Sequence, residues 1–273
     1  MHQQPAQDFE AARFCQRREQ FYFSHEPRVF NALSLIFPEG ERFFVRSVKK
    51  FADKAETDTE KQEIKAFIGQ EIQHGRAHEQ FNNEIMAGYF DTESFLKIYR
   101  SIAYDILEPA IEKVFGAELN LAVTAAAEHY TATWAEAMLG SDRLSRINSE
   151  SLKRLSVWHS LEELEHKHVA FDLLRKVNPS YPMRIGGLLL STAQFIGFTA
   201  LGVSMLIAQD KTIDWREFFK GAREDANNPN GMSYLFVRAF RDYLKPGFHP
   251  SDKDDSELRA KAHAYLETSK GAA

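Results

Sequence analysis

Apolar residues recur along most of this chain at every third or fourth position, and runs of alternating β-branched residues are few, so the pattern predicts a nearly all-helical protein. The periodicity predicts a short apolar helix over Ser24 to Phe37 and a second that opens at Phe37-Pro38-Glu39-Gly40 and ends near Ala55. Pro38 suits a first helical turn, where its missing N–H costs nothing. Thr57 to Met86 follows, then a connecting helix or helix pair over Asp91 to Phe115, broken near Pro109. Ala117 to Leu139 and Ser149 to Val177 are two further long helices, the second ended by Asn178 to Pro182. After an uncharged stretch from Ile185 to Ala208 the tail is polar, with one helix near Met232 to Leu244.

Acids and imidazoles interrupt the apolar faces of four of these helices. At ~3.6 residues per turn, His159, Glu163 and His166 stand at i, i+4 and i+7 and share a stripe with Leu152, Leu155, Ala170 and Leu173. Earlier in the chain the inward row is Ile64, Phe67, Ile68, Glu71, His74, His78, Asn82 and Ile85. Both rows contain Glu-x-x-His, as Glu71 with His74 and as Glu163 with His166. Glu41 lies on the face of Phe44, Val45, Val48 and Phe51, and Glu128 lies among Leu121, Thr124, Ala125, Thr131, Ala132 and Ala135. Small residues beside Glu128 allow either a close helix or space for a ligand. A lone buried charge costs several kcal/mol, so such placement requires neutralisation, and a metal ion supplies it. His78, one turn beyond the first motif, reads as a core histidine or as a group that orients a ligand, with ligation itself the less favoured alternative. His129, His168 and His249 read as surface or structural, and Glu39, Glu136, Glu162 and Glu165 as solvated charges or partners of ligands.

Composition narrows the chemistry. With 273 residues and 44% hydrophobic content the chain can bury a sizeable core, read here as one domain with a metal-binding bundle over 38–177 and an apolar helix plus extension over 183–273. A net charge of -5 with dispersed Lys and Arg argues against a nucleic-acid surface. The single cysteine, Cys15, excludes an internal disulfide and a cysteine-ligated iron–sulfur cluster. The first residues show no basic start followed by an apolar run, which makes the cytoplasm the expected compartment.

The order Glu41, Glu71 with His74, Glu128, Glu163 with His166 resembles the ferritin-like di-iron carboxylate bundles, in which two helices each give a Glu and two each give a Glu-x-x-His. That resemblance covers roughly Pro38 to Val177 and implies a four-helix bundle with additional C-terminal helices. It also implies two metal ions, whose +4 would balance four carboxylates. Carboxylate and imidazole ligands suit iron or manganese, and zinc is also compatible. The segments FPEGERFF, FIGQEIQH, AAEHYTA and WHSLEELEHKHVAFD resemble a bacterial family of predicted metal-dependent hydrolases. His159-x-x-x-Glu163-x-x-His166 is similar to the p-aminobenzoate N-oxygenase group, which implies that His159 is a seventh ligand. The expected function is an oxidase or oxygenase that uses two irons and O2 on a small, apolar organic substrate, its electron donor unidentified. A metal-dependent hydrolase and a ferroxidase or storage protein are the competing expectations.

Ile185 to Ala208 carries no charge over about 24 positions and is long enough to span a bilayer. Gln194 near its middle and recurring Ser and Thr favour burial in the core or in a homo-oligomer interface. Lying on a membrane surface and spanning it are the alternatives, and in the first two cases the helix would line an apolar route to the metals.

Overall fold

Why four inward-facing acids can share one interior follows from how the helices are laid against a single central one. A computed structural model describes residues 25–87, 90–147, 150–211 and 213–269, and every regular element among them is helical. The central helix is α5 (Ala117–Gly140). Residues 120–128 of it are buried on every side, so it lacks the one-sided pattern of a surface helix. Against it stand α1 (His25–Lys49), α6 (Glu150–His166), α7 (Val169–Val177) and α8 (Tyr181–Gln209), and α2 (Asp58–Phe81) lies along α1 and meets α6 and α7. Two short helices, α3 (Thr92–Arg100) and α4 (Glu108–Phe115), join α2 to α5. The C-terminal part forms α9 (Trp215–Asn227), α10 (Met232–Tyr243) and α11 (Ser256–Thr268). Cys15 lies outside the described residues, as does the side chain of Ile85.

Three boundaries differ from the periodic reading. The two helices expected on either side of Pro38 are one continuous helix, α1. Proline removes the N–H that would bond the Ser34 carbonyl, a defect that costs about 3 kcal/mol in a helix interior. Here Asn82 from α2 donates its Nδ2 to Ser34 O at 2.7 Å, so the orphaned carbonyl is satisfied and the helix persists. Conversely, the expected single helix over 149–177 is interrupted at Lys167 and His168. Neither proline nor glycine lies there. Lys167 instead reaches Asp255, 2.7 Å away, in a buried ion pair with the segment ahead of α11. The break expected near Pro109 appears as a π-helical stretch over Ser101–Leu107, with Pro109 in the first turn of α4. Such a widened turn lets the chain approach a proline without the usual i−4 clash. α2 starts as capping chemistry dictates: Thr57 Oγ1 accepts from Glu60 N at 3.2 Å, and Glu60 returns a carboxylate to Thr57 N at 3.1 Å.

α8 is neither wholly buried nor wholly free. Its inner stripe, Arg184, Gly187, Leu188, Ser191, Phe195, Phe198, Gly202 and Leu206, packs into the core. At Gly187 a Cβ would fall 2.4 Å from the backbone of Ala122, so only glycine permits this crossing of α8 over α5. The small residues of α5 therefore serve close helix approach on this side. Gly202 meets Ala32 and Phe95, Phe198 meets Tyr99, and Phe195 meets Tyr130. None of these partners carries a side chain of the acid cluster, so the expectation that α8 lines a route to it gains no support from these contacts. α9 and α11, which the polar tail concealed, cover the outside: Ala262, Tyr265 and Leu266 of α11 pack on Val157 and Leu161 of α6.

Candidate metal centre

Glu41 on α1, Glu71 and His74 on α2, Glu128 on α5, and Glu163 and His166 on α6 are all buried and converge between these four helices. His166 Nε2 lies 3.2 Å from Glu71 Oε1, 3.2 Å from Glu128 Oε2 and 3.7 Å from Glu163 Oε2. On the other side of the same two acids, His74 Nδ1 lies 3.3 Å from Glu71 Oε1 and 3.4 Å from Glu163 Oε1. His159 joins this second side, its Nε2 3.0 Å from Glu163 Oε1. Glu41 completes a group with Glu71 and His74 in which one ligand-capable atom of each lies within 4.8 Å of the others. Gly75 makes room for it, since a Cβ there would stand 3.1 Å from Glu41 Oε2. Glu71 and Glu163 thus sit in the middle, with Glu128 and His166 to one side and Glu41, His74 and His159 to the other.

Outside the His159–Glu163 pair, the inward atoms have no conventional partners. Glu41 Oε2, both oxygens of Glu71 and of Glu128, His74 Nδ1 and His166 Nε2 are buried without a hydrogen bond. Leaving one such group unsatisfied costs about 1–3 kcal/mol, and more when it is charged, so a cluster of them marks a place for cations. This donor set fits divalent metal ions, with carboxylate and imidazole but no thiolate. Without them the cluster lowers its own charge by holding protons. Burial and the neighbouring Glu71 push Glu41 well above the ordinary carboxylate range, and the same causes raise Glu128 to about 8. Burial opposes protonation of His74 and His166, but their carboxylate neighbours outweigh it and hold both well above the usual imidazole value. Burial would likewise raise Glu163, yet the imidazoles of His159, His166 and His74 hold it well below. Burial and His74 lower His159.

The outward atoms, by contrast, are held. His74 Nε2 lies 3.1 Å from Glu162 Oε2, and Trp158 Nε1 donates to Glu162 Oε1 at 2.9 Å. His166 Nδ1 lies 3.1 Å from Gln70 Oε1, and Thr131 Oγ1 donates to Glu163 Oε2. A carboxylate or amide behind an imidazole fixes the ring and the tautomer, leaving the inward nitrogen free as a lone pair. Glu162 fills the partner role expected of it, whereas Gln70, Trp158 and Thr131 were not singled out from the sequence. Gln70 and Glu162 each directly precede an inward acid, and that position, one residue off the apolar stripe, was the available signal. His129 is structural, facing Ala239 O at 3.1 Å beneath Tyr243 and Phe248. His249 lies 2.8 Å from Asp172, and His168 lies 3.7 Å from Glu63, away from the cluster. Glu39 pairs with Arg42 and Arg100, and Glu136 with Lys253 and Arg238.

Fold and site together define an all-helical protein with buried Glu/His groups able to hold metal ions. The chain belongs to the family described as "Predicted metal-dependent hydrolase", whose model matches residues 12–254. No curated protein and no solved structure gives a significant match.

Proposed function

We propose that this protein is a dinuclear metal oxidase or oxygenase of ferritin-like type, with Glu41, Glu71, His74, Glu128, His159, Glu163 and His166 as ligands. The observation that supports it best is the central position of Glu71 and Glu163, each within reach of His74 on one side and His166 on the other. Two Fe(II) ions held there would supply O2 activation for oxidation of an organic substrate. The chain's own part is to place the donors, exclude water and keep the imidazole tautomers fixed through Glu162 and Gln70. The least buried side chain of the ligand set, His159 at 20% exposure, marks the side from which small molecules would approach. The family description favours a second reading, in which the same ions activate water to hydrolyse an ester or phosphate.

Anaerobic loading of the metal-free protein with Fe(II), followed by O2, separates the two. Consumption of O2 with a transient visible absorption and about two irons per chain is the expected outcome. Esterase or phosphatase turnover with Zn(II) or Mn(II) and no reaction with O2 would replace this reading by the hydrolase. Repeated iron uptake into a mineral would replace it by storage.

The outer face of α8 supports a place for the protein as well. Leu189 and Ile196 are 54% and 58% exposed, on a helix long and apolar enough to cross a membrane. Trp215 and Phe219 of α9 are 51% and 64% exposed. On a helical wheel they are flanked by the row Arg216, Lys220 and Arg223, while Glu217 and Glu224 lie furthest away. Aromatics edged by basic side chains suit an anionic lipid surface, and such a location agrees with an apolar substrate.

A further inference from the structure

Among the described residues, His78 is the one imidazole near the cluster that the ligand set above does not use, and its surroundings determine where its ring proton is. Because Pro38 has no N–H, Ser34 O is free, and a carbonyl can only accept; the Asn82 atom facing it at 2.7 Å is therefore the amide nitrogen. That fixes the Asn82 amide and leaves Oδ1 to accept from the Ser34 hydroxyl at 2.9 Å. Ser34 has a single hydroxyl proton, now committed. Its oxygen, 3.1 Å from His78 Nδ1, must accept, so His78 carries its proton on Nδ1 and presents a bare lone pair at Nε2.

That lone pair points into the cluster with nothing to receive it. His78 Nε2 is buried and without a hydrogen-bond partner. Glu41 Oε1 stands 3.9 Å away, and His78, Glu41 and His159 form a group whose ligand-capable atoms lie within 4.8 Å of one another. The gap to Glu41 is too wide for a hydrogen bond, so a proton on Glu41 cannot serve it. It matches two donors sharing one cation, since bonds of about 2.1 Å to a common ion separate ligand atoms by roughly 3–4 Å. Phe37 packs edge-on against the ring, 4.8 Å between centroids, and closes its other side.

We infer that His78 is a further ligand, through Nε2, to the ion held on the Glu41 side, and that Ser34, Asn82 and Pro38 are the positioning residues that fix its tautomer. This rests on the dinuclear reading above and adds to it an asymmetry. The Glu41 side would draw on His74, His78 and His159, while the Glu128 side has His166 alone. The ion beside Glu128 and His166 would then have fewer donors from the chain, while the side of approach remains that of His159.

Co(II) titration of the metal-free full-length protein, with a chelating dye as competitor, tests this without any assay of activity. The unmodified chain should bind two Co(II). His78→Gln should weaken one of the two by more than the roughly 10–100-fold that loss of a hydrogen bond behind a ligating imidazole costs, and should change the Co(II) visible spectrum. Ser34→Ala should weaken the same ion by an amount within that range. Helical circular dichroism of each metal-free variant verifies folding, and Ser34→Ala keeps the test open if His78→Gln does not fold. Two ions bound by His78→Gln with unchanged spectrum, or with a loss no larger than that of Ser34→Ala, would overturn the assignment of His78 as a ligand. Binding of no Co(II) by the unmodified chain would instead overturn the dinuclear reading itself.

Discussion

Each carboxyl and imidazole of the cluster holds or releases its proton according to what faces it, and that makes the metal-free protein sensitive to pH. Between about pH 7 and 8 the unfolded chain has ionised Glu and mostly neutral His, whose ordinary values are 4.5 and 6.5. The folded metal-free chain still holds protons on Glu41, Glu128, His74 and His166, all of which titrate above those values. The folded state therefore binds more protons, and its stability is lost as pH rises, by about 1.4 kcal/mol per proton per pH unit. Glu163, His78 and His159 titrate below their ordinary values and are largely deprotonated in both states across this window. Melting of chelator-treated protein should thus fall in temperature from about pH 7 to 8, and metal-loaded protein should not follow it. A metal-free melting temperature that rises over this range would contradict the placement of these protons. Glu128→Gln removes one of the four groups, so its melting temperature should depend less on pH while it binds fewer than two ions. Two tightly bound ions in Glu128→Gln or in Glu163→Ala would remove that residue from the ligand set.

At the scale of the helices, packing distance decides what a substitution does. Gly187→Ala places a methyl 2.4 Å from the Ala122 backbone and should destabilise by roughly 1–3 kcal/mol or more, because α8 must move off α5. Gly197→Ala on the same helix meets nothing within 4 Å and should be neutral or stabilising by up to about 1 kcal/mol. Equal thermal or urea midpoints for the two variants would show that this crossing is looser than described. The helices that carry the acids were legible from period alone, since Glu41, Glu71, His74, Glu128, Glu163 and His166 each fall on the apolar stripe their spacing assigns. Continuity through Pro38 was not legible, because the cap is Asn82, 44 residues later. The interruption at Lys167 depends on Asp255, 88 residues later. α9 and α11 are short and rich in charge, so their apolar edges stood out less than those of the long helices. Contacts distant in sequence leave no mark on local periodicity, and Gln70 and Thr131 escaped notice for the same reason, whereas Trp158 meets Glu162 one turn away on α6.

Across the whole molecule, the bundle turns one side of α8 inward and leaves the other open, and α9, packed on α1 and α10, also turns Trp215 and Phe219 to solvent. Flotation with anionic phospholipid vesicles should carry the protein upward in a density gradient, and high salt should reduce this, because the basic row of α9 contributes through screened attraction. Trp215→Ala with Phe219→Ala should abolish most of it while leaving metal content unchanged. Protein that stays at the bottom and runs as a discrete dimer would assign the α8 face to a second copy of the chain instead. The central claim is that two ions sit between α1, α2, α5 and α6, and anomalous diffraction from crystals loaded with Fe(II) or Mn(II) addresses it directly. The account predicts two anomalous peaks flanking Glu71 and Glu163, one beside Glu128 and His166 and the other beside Glu41 and His74. Peaks elsewhere on the chain, or no peak at the cluster in crystals of metal-loaded protein, would contradict it.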